Sequence, residues 1–249
     1  MHNEVKSDSV QENALHDLQL VIGDRYAYYM LKRIMDFIIA ALFLIILSPL
    51  MLIIALAIIV YSPGPVIFAQ QRVGAKRQYN GKDLYWKKTV FNCYKFRTMR
   101  PNAYSSIHQA YIKALIDNDE DQMTALQGGP TQPRKLVNDS RITRPGKFLR
   151  KFSLDELPQF WNVLVGDMSM VGPRPAIPYE VEIYKPWHLR RLTAQPGITG
   201  LQQVTARSTA DFDQQVQLDI EYIEKQSLWL DIIIMLKTPL VVITAKGAH

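Results

Sequence analysis

With 249 residues, 48% of them hydrophobic and 21% charged, the chain carries enough apolar material for a core, as one domain or two small ones, which excludes a disordered chain. A net charge of +6 suits an anionic partner, whether nucleic acid, a phospholipid surface or a phosphorylated substrate, without choosing among them. The one cysteine, Cys93, excludes an internal disulfide and a cysteine-rich metal site, and it reads as a buried structural thiol in a reducing compartment.

Residues up to about Tyr26 are polar and mixed, with no readable chemistry. From Phe37 to Tyr61 runs "FIIAALFLIILSPLMLIIALAIIVY", 25 residues without a charge and long enough to span a bilayer as helix. A cleavable signal peptide fits poorly, because a long polar stretch precedes the run and no small-residue cleavage site follows it. Ser48-Pro49 falls in the middle, where proline removes a backbone donor and disfavours helix at the residue before it. Basic residues flank both ends, Lys32 and Arg33 before, Arg72, Lys76 and Arg77 after, so a positive-inside count assigns no orientation. Two readings stand: a span kinked at Pro49, or a helix-break-helix that dips in and returns.

Beyond it "SPGPVIF" is turn-rich, and "TVFNCYKFRTM" reads as a strand with Lys95 and Arg97 on one face and Tyr94, Phe96 and Thr98 on the other. That basic face suits phosphate, or is a solvated edge. From Tyr104 to Leu126 the pattern is helical, and its acids Asp117, Asp119, Glu120 and Asp121 read as a solvated helix end rather than a metal site. "QGGPTQP" is a loop.

In "RITRPGKFLRK" Arg141, Arg144, Lys147, Arg150 and Lys151 stand without an acid among them, a density that repels itself unless an anion balances it. "SLDELPQ" follows. As a capping box, Ser153 would cap the helix with Glu156 at the third position, but Pro158 would then fall just inside the helix, beyond the free N–H groups. A helix beginning near Pro158 instead leaves Asp155 and Glu156 on the turn leading into it. Adjacent carboxylates under strong positive potential stay ionised, one able to hold Mg2+ and the other able to attack phosphorus. In "GPRP" Arg174 stands between Pro173 and Pro175, which hold its backbone stiff and extended, either to present a rigid fork to phosphate or as a plain surface turn. "QPGITG" is a glycine-punctuated turn and a weak phosphate signal by itself. The last apolar stretch, "SLWLDIIIMLKTPLVVITAKG", is interrupted by Asp231, Lys237 and Pro239 and reads as an amphipathic interfacial or core helix.

The order "KRIMDF", the apolar run with its central Ser-Pro, "YKFRTM", "DSRITRPGKFLRKFSLDELPQFWNVLVGDMSMVGPRP", "PGITGLQQV" and "LDIEYIEKQSLWLDI" closely resembles the bacterial sugar transferases, the monotopic polyprenyl-phosphate phosphoglycosyl transferases, over about Met30 to Thr244. The resemblance implies a mostly helical α+β fold on one membrane face, with a re-entrant helix over about 33–61 and interfacial amphipathic helices. It also implies a polar extension over 1–29 and a small, single-catalytic-domain form over 30–249. The reaction implied is ping-pong transfer of a phospho-sugar from a UDP-sugar to undecaprenyl phosphate, releasing UMP, at the start of exopolysaccharide, O-antigen, capsule or glycoprotein glycan assembly. By that resemblance Asp155 is the nucleophile and Glu156 the magnesium (Mg2+) ligand. Arg150 and Arg174 bind phosphate, Lys95, Arg207 and Asp219 match further polar positions, and Ser48-Pro49 is the helix break. "TARS" departs from the Asn-Gly-Arg-Asn type sequence of many members, and the segment between "FRTM" and "NDSRIT" is longer than in the smallest. The partners implied are a UDP-sugar, polyprenyl phosphate and the lipid of the cytoplasmic face of the bacterial inner membrane, with no nucleic acid and with homodimer formation open. Two rivals are a polytopic transferase, which needs many spans, and a non-enzymatic basic membrane adaptor of a polysaccharide-assembly complex.

Overall fold

The computed structural model describes residues 25–79, 84–100, 106–127, 141–206 and 210–243. The polar start of the chain, the loop after Gln127 and Arg207 lie outside the described residues. In chain order come helix α1 (Tyr26–Tyr61), strands β1 (Ile67–Tyr79) and β2 (Leu84–Phe96), and helices α2 (Ser106–Asp117), α3 (Glu120–Gln127) and α4 (Arg144–Lys151). A 3₁₀ turn (Leu154–Glu156), α5 (Gln159–Val165), β3 (Ser169–Val171), α6 (Pro178–Glu182) and a 3₁₀ segment (Pro186–Leu192) follow. The chain closes with β4 (Gly197–Thr199), α7 (Leu201–Thr205), α8 (Phe212–Lys225) and α9 (Leu228–Ile243). This is the mostly helical α+β fold expected, with an antiparallel β1–β2 ribbon and a short parallel β3–β4 pair.

The apolar run folds as one helix of 36 residues, starting at Tyr26, so the domain boundary expected after residue 29 falls inside it. The break expected at Ser48-Pro49 is a proline within a continuous helix. Pro49 lacks the N–H that would bond the Ile45 carbonyl, and the Ser48 hydroxyl donates to that carbonyl at 2.8 Å in its place. Ser48→Ala removes this substitute donor and is expected to destabilise the detergent-solubilised protein by about 1 kcal/mol, read as a lower Tm.

Helix α1 is inside out. Its polar residues Lys32 and Asp36 are buried with Tyr29, Ala40, Ile54 and Ile58 along one stripe, while Ile45, Ile46, Leu52, Ile53 and Val60 are exposed. Only 11% of its most apolar 18-residue window is buried, whereas the core helix of a soluble protein would be largely covered. Helix α9 repeats the pattern, with Asp231 and Ile234 inward and Trp229, Leu236, Leu240 and Ile243 exposed at helical spacing. Such an exterior is compatible with membrane association.

Both halves of α1 pack on one body. Ala40 joins Phe91, Cys93, Phe160 and Tyr222 in one core, Ile54 and Ile58 join Phe96 and Leu149 in another, and Leu157 packs against both. The basic flanks find partners within the fold: Arg33 donates to the carbonyls of Val163 and Leu164 at 2.5 and 2.7 Å, at the C-terminal end of α5. Lys76 pairs with Asp167 at 2.7 Å, and Arg77 lies over the Tyr29 ring. These charges bind the fold together, which is why counting them says little about topology.

The acids expected at a helix end sit at the α2–α3 break. Asn118 takes a left-handed φ of 55°, and Asp119 caps α3 by accepting from the Gln122 N–H at 2.9 Å. Among the described residues no three His, Cys, Asp or Glu side chains gather as a metal cluster, there or elsewhere. Cys93 is fully buried, as expected of a structural thiol.

Candidate active site

Helix α4 starts where Thr143 Oγ1 accepts from the Gly146 N–H at 3.0 Å, with Pro145 in its first turn. A Cβ on Gly146 would lie 2.2 Å from the Thr98 carbonyl, so only glycine lets α4 approach the chain leaving β2 this closely. That approach lets Arg150 Nε donate to Thr98 Oγ1 at 2.9 Å. After α4, Ser153 adopts a left-handed φ of 54° and makes no side-chain cap, so the capping-box alternative does not form. The chain turns instead through the 3₁₀ segment holding Asp155 and Glu156, and α5 begins at Gln159 immediately after Pro158. The acids therefore lie on the turn into the helix, where the position of the proline puts them.

Strand β2 supplies the facing wall. Buried Asn162 of α5 clamps onto it, donating to the Asn92 carbonyl at 2.7 Å and accepting from the Tyr94 N–H at 3.0 Å. This sets the register in which Lys95 Nζ meets Glu156 Oε1 at 2.7 Å. Arg97, the other residue of the expected basic face, is buried and donates to the carbonyls of Pro63 and Ser62. It secures the turn after α1 and is neither a phosphate contact nor a solvated edge.

The third wall is the loop holding Arg174. Gly172 N–H donates to the Thr199 carbonyl and Gly197 N–H to the Pro173 carbonyl, each at 2.9 Å. A Cβ on Gly197 would lie 2.1 Å from the Gly172 nitrogen. The glycines of "GPRP" and "QPGITG" thus serve close backbone approach rather than a phosphate cradle. On the other side Val73 N–H donates to the Ala176 carbonyl and Arg72 Nη1 to the Pro175 carbonyl. Arg174 is held between these seams, exposed, on a narrow cleft lined also by Arg72, Cys93, Lys95, Glu156 and Gln203. A larger groove between Trp187, Arg190 and Glu224 carries an Arg190–Glu224 ion pair and is remote from the acid pair in its lining.

The two acids are driven apart electrostatically. Burial works against the charge of Glu156, but Lys95 and Arg174, with Arg72 behind them, outweigh it and hold the carboxyl at about 2. Burial raises Asp155, and the neighbouring Glu156 charge raises it further, against the pull of Lys95 and Arg150. The Glu156 ion pair contributes stability that is complete above the ordinary glutamate value and is lost as pH falls through about 2.

Of the residues singled out in the sequence, the structure brings Lys95, Glu156 and Arg174 to one cleft. Asp155 is buried on the adjoining turn, and Arg150 acts on it electrostatically. Asp219 is different: it is buried 2.5 Å from the Arg191 guanidinium, an ion pair inside the body rather than on the cleft wall. Arg207 lies outside the described residues. Sequence reading missed Arg72, Asn162 and Gln203 as site residues, because their roles come from burial against distant segments.

The donor set suits magnesium in one way only. Mg2+ is commonly held by one or two carboxylates together with substrate phosphates and water, and Glu156, ionised beside Asp155, offers that and no all-protein cage.

Comparison with known proteins adds the family. The profile described as bacterial sugar transferase matches residues 27–245. The chain is 42% identical to the undecaprenyl-phosphate galactose phosphotransferase of Salmonella typhimurium over 88% of this chain and 42% of that protein. It is 38% identical to the UDP-N-acetylgalactosamine-undecaprenyl-phosphate N-acetylgalactosaminephosphotransferase of Aeromonas hydrophila, over 98% of this chain and 50% of that one. With the exopolysaccharide production protein ExoY of Sinorhizobium fredii it shares 36% identity over 88% of both. The chain thus spans about half or less of the first two relatives and most of the third.

Proposed function

Since this chain belongs to the bacterial sugar transferase family, we propose that it moves a phospho-sugar from a UDP-sugar to a polyprenyl phosphate such as undecaprenyl phosphate, releasing UMP and starting the assembly of a surface polysaccharide. The observation that carries this reading is the adjacent pair Asp155 and Glu156, one carboxyl raised and one depressed, beside Arg72, Lys95 and Arg174. Phosphoryl transfer rests on positioning and charge neutralisation more than on proton shuttling, and this is a site of cations and carboxylates.

In the proposed sequence an Asp155 oxygen attacks the β-phosphorus of the donor, the bond from that phosphorus to the bridging oxygen breaks, and UMP departs. A phosphate oxygen of the lipid then attacks the same phosphorus, the aspartyl–phosphorus bond breaks, and Asp155 is regenerated. Burial makes the Asp155 carboxylate more basic, hence a better nucleophile once ionised. Arg174 and Arg150 hold phosphoryl oxygens, and Glu156 holds magnesium. The chemistry magnesium supplies when bound is neutralisation of charge on the diphosphate.

Helix α1, bent at Pro49, dips into the cytoplasmic leaflet and returns, with α9 lying at the interface. The support is that both halves of α1 pack on one body, which leaves no half free to carry the chain to the far side. The acceptor phosphate stays at the lipid surface, so a catalytic turn held against such a helix meets it there.

The test is UMP release from a panel of UDP-sugars, with lipid-linked sugar formed only when polyprenyl phosphate is added. A non-enzymatic adaptor would release none. The panel also settles the sugar, since the names of the relatives include both galactose and N-acetylgalactosamine.

Lys95→Met gives a pH prediction. Lys95 lowers both carboxyls, so its loss makes both harder to ionise, and the acid limb of the rate profile is expected to move to higher pH. An unmoved acid limb would remove Lys95 from this role.

A further inference from the structure

Arg72 is a buried cation with no direct ion pair, and the carboxylates of Glu180 and Glu156 act on it only at a distance. It is 8% exposed on β1, and among the described residues no ion pair joins it to a carboxylate. Its terminal nitrogens donate to neutral acceptors, the Pro175 carbonyl at 2.9 Å and Gln70 Oε1 at 2.7 Å, and its Nε–H is buried with no partner. It shares the cleft with another guanidinium, Arg174, and with the Lys95–Glu156 pair, and Gln203 Oε1 on the same cleft is also buried without a partner. Packing does not ask for a guanidinium here, since neutral donors could satisfy both acceptors. A fold tolerates a buried charge of this kind when a ligand completes it.

We propose that Arg72 is a second phosphate-binding arginine, taking from beneath an oxygen of the diphosphate whose other oxygens Arg174 takes from the rim. Two guanidinium groups and Lys95 face one carboxylate, Glu156, at this cleft, an excess of positive charge that a diphosphate, with several oxygens on adjacent phosphorus atoms, can answer at both forks. The inference rests on the transferase reading, and Arg72 would be a residue that touches the donor and is absent from the sequence-derived set. The contact to Pro175, next to Arg174, also sets how far apart the two guanidinium groups stand.

The experiment is titration calorimetry of the full chain in detergent with inorganic pyrophosphate as probe, on the wild type, Arg72→Met and Arg72→Lys. Arg72→Met is expected to bind about tenfold more weakly or worse, and Arg72→Lys, which keeps the charge but loses the fork, to fall between. Because Arg72→Met also removes the donors to the Pro175 carbonyl and Gln70 Oε1, melting without anion serves to establish that each variant is folded, and pyrophosphate affinity decides the assignment. Wild-type affinity in Arg72→Met, or no pyrophosphate binding by the wild type, would overturn the proposal. Should Arg72→Met fail to fold, Arg72→Lys decides: threefold or weaker binding supports the assignment and unchanged binding overturns it. UMP release by the wild type is scored separately, so loss of this inference leaves the transferase reading standing or falling on its own assay.

Discussion

Asp155→Asn is expected to abolish the phospho-sugar adduct that forms on the intact chain when it is incubated with UDP-sugar and no lipid acceptor, read as added mass. UMP release should fall by about 10⁴-fold or more, the scale seen when the nucleophile of a covalent mechanism is removed. The substitution keeps the shape of the side chain and removes its nucleophilic charge. Stability should move the other way. A carboxyl raised by burial and by the adjoining Glu156 is one whose protonated form the fold favours, so its ionisation lowers stability as pH rises through the raised value. A neutral amide removes that penalty, and Asp155→Asn should melt at or above the wild-type temperature at neutral pH. Lost chemistry with retained stability separates the nucleophile from a misfolded variant. An adduct that persists in Asp155→Asn, or never forms in the wild type, would remove Asp155 from the proposed role. Glu156→Gln should differ, since it gives up the 2.7 Å pair with Lys95 and lowers the melting temperature.

The second large effect belongs to the polar knot under α1. Lys32 Nζ reaches Asp231 Oδ2 at 2.8 Å, the Val171 carbonyl at 3.0 Å and the Tyr222 hydroxyl at 3.3 Å. The Tyr222 hydroxyl in turn lies 2.7 Å from Asp231 Oδ1. Lys32 and Asp231 are essentially enclosed, at 7% and 0% side-chain exposure. Lys32→Met leaves Asp231 a buried acid with tyrosine hydroxyls but no cation and is expected to cost about 3–5 kcal/mol. The double variant Lys32→Met, Asp231→Leu removes both charges and should recover most of that loss, because replacing a buried pair by apolar groups is often neutral. Denaturant unfolding of the two singles and the double gives the coupling directly; additive losses would deny that the pair acts as a unit. The Val171 carbonyl at the centre of the knot lies two peptide units before Pro173, so the same contacts join α1 to the loop bearing Arg174.

Local chemistry in the string carried far. The place of Pro158 ruled against a cap at Ser153 and for an acid-bearing turn, and the backbone takes that course. The acids from Asp117 to Asp121 read as a helix end and form one. The α9 stretch, interrupted by Asp231, read as an amphipathic helix and has a polar contact inward with apolar residues outward. Each of these follows from neighbours within about a turn, through free N–H groups, proline geometry or partition between water and oil.

The misreadings have a common cause. Lys32 and Arg33 read only as basic residues flanking the apolar run, and each makes contacts to residues 130 or more positions away. Arg97 looked like half of a basic face and secures the end of α1, and Arg72, read only as a basic flank of the apolar run, lines the cleft.

By itself, then, the sequence determined the apolar helix, the turn that presents Asp155 and Glu156, the strand bearing Lys95 and the stiff backbone around Arg174, because these depend on residues close in the chain. Only the tertiary structure decided which cations stay free to meet an anion and which are taken up by carbonyls and acids, because the partner of a buried charge is supplied by whichever distant segment the fold brings against it.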